Sequence, residues 1–312
     1  MSLCLVTGGA GFIGSHIVRR LLERGRAVRV LDDFSTGRRQ NLADVEDRIE
    51  LTFGDICDEA TVERSMAGVE VVFHLAARAS VPRSVAQPAP CNEVNVTGTL
   101  RLLIAAKAAG VRRFVYSSSS SAYGDTPTLP KTVDMRPEPL SPYAVAKLAA
   151  EHYCTVWARV YGLSTVSLRY FNVFGPRQDP KSDYAAVIPA FVSRMLKGQR
   201  PVIFGDGEQT RDFCFVDNVV DANLLAADAP KLAGEVVNVA CGERVSLNQI
   251  VAELNTLLGT SLEAIHESPR AGDVRHSLAD IAHTRQVLGY EPRVMFPEGL
   301  RRSLDWYRAN LK

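Results

Sequence analysis

The chain has 312 residues, 46% hydrophobic and 23% charged, with 36 Lys and Arg against 35 Asp and Glu. A net charge of +1 lacks the broad basic excess of a nucleic-acid binder, and the composition is not that of a disordered or collagen-like chain. The length suits one large α/β unit with an appendage, or two domains. The six cysteines are scattered, without a C-x-x-C pair or a Cys/His cluster at metal-ligand spacing, so unpaired thiols in a reducing compartment and no metal site are expected. No apolar run reaches the length of a membrane span, and Leu3–Val6 runs into a glycine turn rather than a signal-peptide pattern. A cytoplasmic, unprocessed protein with no nucleic-acid or membrane partner is predicted.

In chain order, Ser2–Thr7 is an apolar run of strand length, ended by Gly-Gly-Ala-Gly-Phe-Ile-Gly, and a helical pattern follows over Ser15–Arg24. Ala27–Leu31 is a second strand with Asp32 at its carboxyl end. Further strands are predicted at Glu50–Phe53, Val69–Leu75, Arg113–Ser117, Thr165–Tyr170 and Val236–Val239. Helices are predicted at Val96–Ala109, Pro142–Tyr161, Val187–Lys197, Val216–Ala227 and Leu247–Leu258. Alternation of this kind implies a parallel, doubly wound sheet with helices on both faces. After Asn172 it weakens, and Gly175-Pro176, Gly198, Gly205-Asp-Gly207 and Pro269 punctuate shorter elements, which points to a smaller second α/β domain. The predicted division is 1–173, with a return to the sheet at about 214–243, against 174–213 and 244–312.

Gly8, Gly11 and Gly14 form G-x-x-G-x-x-G between strand and helix, where a backbone without side chains can approach a pyrophosphate at the helix N-terminus. Three glycines alone are weak, but Asp32 follows Gly14 by 18 residues, in place to accept hydrogen bonds from ribose hydroxyls. A carboxylate there repels a 2′-phosphate, which favours NAD over NADP. Arg38 and Arg39 read as a solvated loop, and Asp55 is in place to reach an adenine. Tyr143 and Lys147 are four apart, on one face of a helix that Ser141-Pro142 begins. The ammonium is expected to lower the phenol from its ordinary pKa of about 10, and a bound nicotinamide cation to lower it further, which makes a base near neutrality. Taken alone, Y-x-x-x-K is a common surface pair; here it lies downstream of a strand that ends in serines.

These segments, with His74-Leu-Ala-Ala77, Asn95-Val-Thr-Gly-Thr99, Ser117–Gly124, Ser141–Lys147 and Arg169-Tyr-Phe-Asn-Val-Phe-Gly-Pro176, span nearly the whole chain. The sequence resembles the extended short-chain dehydrogenase/reductase family with its Rossmann sheet, and within it the nucleotide-sugar 4-epimerases. The resemblance implies Ser119, Tyr143 and Lys147 as catalytic residues. It implies cofactor contacts from Gly8, Gly11, Phe12, Ile13, Asp32, Asp33, Ser35, Thr36, Gly37, Asp55 and Ile56. Leu75, Ala76, Ala77, Asn95, Ser117, Tyr143, Lys147, Tyr170 and Val173 complete that set.

For a UDP-sugar substrate the resemblance implies Ser80, Arg83, Ser118, Ser119, Tyr143, Asn172, Val187, Ile203, Phe204, Arg211, Arg270, Asp273 and Ser277. Guanidinium groups suit the diphosphate because they donate forked hydrogen bonds. Ser277 stands where a bulky residue excludes an acetamide, so an open pocket for acetylated and plain hexoses is expected. Ala79 departs from the family's diphosphate-contacting lysine, with Arg83 as a candidate substitute. Ser120 and Ser121 replace the Asp-Glu pair of the dehydratases, which leaves epimerisation through a 4-keto sugar. The alternatives are a UDP-glucuronate epimerase or decarboxylase, and a non-catalytic NAD-sensing protein. The helices at Val96–Ala109 and Pro142–Tyr161 are expected to pair across the two-fold axis of a homodimer.

Overall fold

A computed structural model of the chain describes residues 2–180, 186–269 and 274–310. Short β-branched and apolar runs give β1 (Leu3–Thr7), β2 (Ala27–Asp32), β3 (Glu50–Phe53), β4 (Val69–His74), β5 (Arg113–Ser119) and β6 (Thr165–Tyr170). Beyond them lie the short strands β7 (Val173–Phe174), β8 (Val202–Phe204), β9 (Thr210–Arg211) and β10 (Cys214–Phe215), then β11 (Glu235–Val239), β12 (Val245–Ser246) and β13 (Ile265–Glu267). Helices α1 (Phe12–Glu23), α2 (Glu59–Met66), α3 (Val81–Ala86), α4 (Pro88–Asn92) and α5 (Thr99–Ala108) fall in the first part. They are followed by α6 (Pro142–Tyr161), α7 (Val187–Met195), α8 (Val216–Asp228), α9 (Leu247–Leu258), α10 (Ala282–Leu288) and α11 (Phe296–Asn310).

One parallel sheet runs β3-β2-β1-β4-β5-β6-β11, and the other six strands pair two by two. The strand order reverses between β1 and β4, so a crevice opens at their carboxyl ends, where α/β sheets bind ligands. Side chains alternate across this sheet by single residues. Val6, Val30, Phe73 and Val115 enter a core shared with α1 and α8. Their neighbours Leu5, Leu31, Val72 and Phe114 enter the opposite core, with α2, α5 and α6. The first core continues without a break through Phe174, Phe191, Phe213, Phe296 and Tyr307. Helices α7, α9 and α11 thus join the core on the α1 and α8 face of the sheet.

Beyond the short helices α2, α3 and α10 and the short strands β7–β10, β12 and β13, which have no counterpart among the predicted ranges, three elements differ from the expectation. The helix expected from Val96 begins at Pro88: α4 passes into a π-turn over Glu93–Gly98 and then into α5. Pro88 and Pro90 occupy its first turn, where a missing N–H costs nothing. Strand β5 runs to Ser119 rather than Ser117, because β6 pairs with it as far as Tyr170. Helix α11 was not foreseen; a polar sequence hides an apolar stripe of Leu300, Leu304 and Tyr307.

His74, at the end of β4, is 1% exposed. Thr99 Oγ1 donates to the Asn95 carbonyl (2.7 Å), so it accepts from His74 Nε2 (2.8 Å), which leaves Nδ1 to accept from Thr7 Oγ1 (2.8 Å). Burial pushes the imidazole down to about 3, and burial likewise takes His16 on α1 to about 4. Both are neutral in the fold and gain a proton on unfolding, so stability falls as pH drops below about 6.5 and levels off only beneath the folded values. Each unit is worth ~1.4 kcal/mol. We expect the thermal midpoint to fall steeply from pH 6.5 to 4.5. His16→Gln, whose amide keeps the donation to Pro176 O but does not titrate, should give a shallower slope; an unchanged slope refutes neutral burial at this site.

Candidate active site

Backbone crowding dictates the glycine loop. Gly8 has φ +69°, and a Cβ there would lie 2.7 Å from Ala76 N. A Cβ on Gly14 would lie 2.2 Å from the Gly8 carbonyl oxygen. No side chain caps α1 at Gly11, so its first-turn amides remain for a ligand. The Asp32 carboxylate is fixed at the crevice by amides of Ala10 and Phe34, both at 2.8 Å. Burial raises its pKa and those amides oppose the rise. Arg38 pairs with Asp179 and Arg39 with Glu46, in line with a charged loop.

These residues open onto a cleft of about 310 Å³. Its walls hold Gly8, Gly11, Phe12, Ile13, Asp32, Asp33, Ser35, Thr36, Gly37, Asp55, Ile56, Leu75, Ala76 and Ala77, and its inner end Ser117, Ser118, Tyr143, Lys147 and Tyr170. Arg78 and Val94, which were not anticipated, also line it, as does Ala79, the position of the family's diphosphate-contacting lysine. Asn95 does not line the wall but stands behind it, in the π-turn. Its Oδ1 accepts from Arg78 N (2.8 Å), so it shapes the wall through the backbone.

At the inner end, Ser141 caps α6 and Tyr143 N donates to Ser84 Oγ at 3.1 Å, which docks α3 on the start of α6. Ser80 caps α3 by accepting from Arg83 N at 3.3 Å. Lys147 Nζ donates to the Ser117 carbonyl at 2.8 Å and lies 5.0 Å from the centre of the Tyr116 ring. Burial brings the ammonium down to about 8. The phenol corrects the expectation. Burial pushes Tyr143 up to about 12, and the hydrogen bond with the Ser119 hydroxyl opposes this without reversing it. Helical spacing reports a shared face but not solvation, and here desolvation is the largest effect on the phenol. Tyr170 Oη meets Ser117 Oγ at 3.0 Å and takes a hydrogen bond from Asn223 Nδ2 at 2.8 Å. The Ser118 hydroxyl donates to the buried Glu151 carboxylate at 2.7 Å.

A second cleft of about 230 Å³ contains Asn172, Val173, Val187 and Arg211, joined by Gln209, Phe213 and Leu247, which sequence reasoning missed. Val173 therefore faces this cleft rather than the first. Arg211 donates to the carbonyls of Thr210 and Arg275, both at 3.0 Å. Asn172, at φ +26°, donates from Nδ2 to Ser277 Oγ and to the Asp212 carbonyl, both at 3.3 Å. Ile203 is fully buried in the core, so its side chain lines neither cleft, while its neighbour Phe204 is partly exposed. Arg270 and Asp273 lie outside the described residues.

Residues 4–240 match the family described as NAD dependent epimerase/dehydratase. The chain is 42% identical over 308 residues to a UDP-glucose 4-epimerase of Mycolicibacterium smegmatis, covering 97% of this chain and 98% of the relative. A UDP-N-acetylglucosamine 4-epimerase from Methanobrevibacter ruminantium, solved with UDP-N-acetylmuramic acid, superposes with a TM-score of 0.95 at 40% identity, covering 99% of this chain and 98% of that one. A Thermus thermophilus UDP-glucose 4-epimerase solved with NAD gives a TM-score of 0.89 at 38% identity, covering 99% of both chains.

Proposed function

Since the chain belongs to the NAD dependent epimerase/dehydratase family, we propose that it inverts C4 of UDP-hexoses, interconverting UDP-Glc with UDP-Gal and UDP-GlcNAc with UDP-GalNAc. The observation that carries this reading is the meeting of Tyr143 and Lys147 at the inner end of the glycine-loop cleft, with the Ser119 hydroxyl hydrogen-bonded to Tyr143 and serines rather than carboxylates at 120 and 121. The cleft suits NAD, because the uncapped first-turn amides of α1 can take a diphosphate and the fixed Asp32 carboxylate can accept from free ribose hydroxyls. Held by the α1 first-turn amides and Asp32, NAD would supply a reversible hydride acceptor for the sugar C4, which would make the reaction redox-neutral overall.

Tyr143 takes the proton from the sugar O4 and gives it back, while Ser119 hydrogen-bonds the same oxygen. The phenol is high in the protein alone, so its ionisation depends on the positive charge that the bound ligand brings. Lys147 orders this end through Ser117 and the Tyr116 face. Residues 1–173, with the return at about 214–243, hold the cofactor; 174–213 and 244–312 hold the UDP end. Asn172, Val187 and Arg211 line the second cleft as UDP anchors, and Arg270 and Asp273 join them in this reading. The hexose ring, held only through its diphosphate, can then present either face of a 4-keto sugar. Proton NMR of the purified protein with UDP-Glc, UDP-GlcNAc and UDP-GlcA tests this. Interconversion of the first two at C4 is expected, and turnover of UDP-GlcA alone, or of none, overturns the reading.

Ser277 is the proposed gate for the acetamide, small and within reach of Asn172. Ser277→Tyr should cut turnover of UDP-GlcNAc roughly 100-fold more than that of UDP-Glc. Equal effects on both sugars in the same NMR assay count against the gate. The chain also forms a homodimer in this reading. Ile104 on α5 and Val145, Tyr153, Val156 and Val160 on α6 are exposed apolar side chains on the two helices expected to pair, and sedimentation velocity reads the state directly.

A further inference from the structure

Behind the reaction centre lies a buried charged pair that the proposed chemistry does not use. Glu151, on α6, is 1% exposed and Arg169, on β6, is 3% exposed. Arg169 grips Glu151 with two hydrogen bonds, Nε to Oε2 at 2.9 Å and Nη2 to Oε1 at 2.6 Å. Its guanidinium lies 4.6 Å from the centre of the Tyr123 ring, and Tyr123 Oη donates to Asn238 Oδ1 on β11 at 2.6 Å. The same Glu151 Oε2 accepts from Ser118 Oγ, and Ser118 and Arg169 are directly opposed across β5 and β6.

The arrangement forms a ladder. Tyr143, Lys147 and Glu151 follow one another at four-residue steps along one face of α6. They engage three consecutive residues of β5: Tyr143 meets the Ser119 hydroxyl, Lys147 the Ser117 carbonyl and Glu151 the Ser118 hydroxyl. A buried ion pair brings little net stability over apolar packing, but a bidentate one holds its carboxylate in a single orientation.

We propose that Glu151, clamped by Arg169, is a positioning residue: through Ser118 it sets the height of the β5 end against α6 and so places the Ser119 hydroxyl on the Tyr143 phenol. Ser118, expected from the sequence to touch substrate, lines the inner end of the cleft but in this scheme turns its hydroxyl to Glu151. The inference rests on the reading of Ser119, Tyr143 and Lys147 as the reaction centre.

Glu151→Gln would leave Arg169 buried without its countercharge and risks the fold. Ser118→Ala is the cleaner probe, because both Arg169 contacts to Glu151 survive it. The expected result is a roughly tenfold lower kcat for UDP-Glc with KM unchanged, since small misplacements of reacting groups cost rate rather than binding. The Tyr143 phenol, read by ultraviolet difference titration against Tyr143→Phe, should also titrate higher, because the Ser119 bond that lowers it is loosened. The titratable groups around the phenol, Cys91 on α4, Tyr116 on β5 and Lys147 on α6, are unchanged by this substitution. A raised KM with kcat intact would make Ser118 a substrate contact and overturn the proposal, as would an unmoved phenol. Absence of turnover in the unmodified protein would overturn the functional reading instead, and the titration would then decide the positioning role by itself.

Discussion

A Tyr143→Phe protein should lose about three orders of magnitude in kcat for UDP-Glc while retaining bound NAD and an ordinary KM. The substitution removes one oxygen and leaves the ring, so the cleft wall of Tyr143 and Lys147 keeps its shape. What disappears is the group that moves the O4 proton, and positioned general acid–base groups contribute about 10²–10⁴-fold. Because the phenol is pushed up to about 12, the acidic limb of the kcat profile should report its ionisation in the loaded enzyme, and that limb should vanish in Tyr143→Phe. The checks are NMR turnover together with absorbance of the nucleotide released on denaturation. Full turnover with NAD bound would remove Tyr143 from the mechanism.

Gly14→Ala should act at the other end of the cleft and by another route. The added methyl would sit 2.2 Å from the Gly8 carbonyl oxygen and 2.8 Å from Gly9 Cα, both backbone atoms that no rotamer change can move aside. The loop must open, which costs about 3 kcal/mol at the upper end of overpacking effects. It also displaces Gly8 from its close approach to Ala76 N. We expect protein purified without nucleotide, a thermal midpoint lowered by several degrees, and turnover restored in part by saturating NAD. Retention of stoichiometric NAD would show that the loop does not form the cofactor cradle.

The sheet was readable because its determinants are local. Short Val- and Leu-rich runs, the three glycines and Asp32 each announce themselves within a few residues, and the chain order supplies the topology. Glu151 and Arg169 were not readable: one looks like an ordinary helix charge and the other like a strand charge. Only the register of β5 on β6 and the docking of α6 bring them together. Their signal was faint but present, since Glu151 continues the four-residue step of Tyr143 and Lys147. The phenol's pKa was misjudged for a related reason. Spacing along a helix says which groups neighbour one another, whereas solvation depends on what the rest of the chain lays over them. The π-turn was hidden because the residues Glu93–Gly98 carry no pattern that sets them apart from an ordinary helical turn, and the contact of Asn95 with the Arg78 backbone joins positions far apart in sequence.

The bond between Asn172 and Ser277 couples two properties that evolution would otherwise adjust one at a time. Asn172 lines the proposed anchor for the nucleotide, and Ser277 is the proposed selector for the sugar, yet one side-chain amide serves both Ser277 Oγ and the Asp212 carbonyl. Substitutions at these two positions are therefore epistatic: groups in one hydrogen-bond network do not contribute additively. A lineage that narrows its sugar range by enlarging residue 277 also disturbs its grip on the nucleotide, and recovers it only through a second change at or beside Asn172.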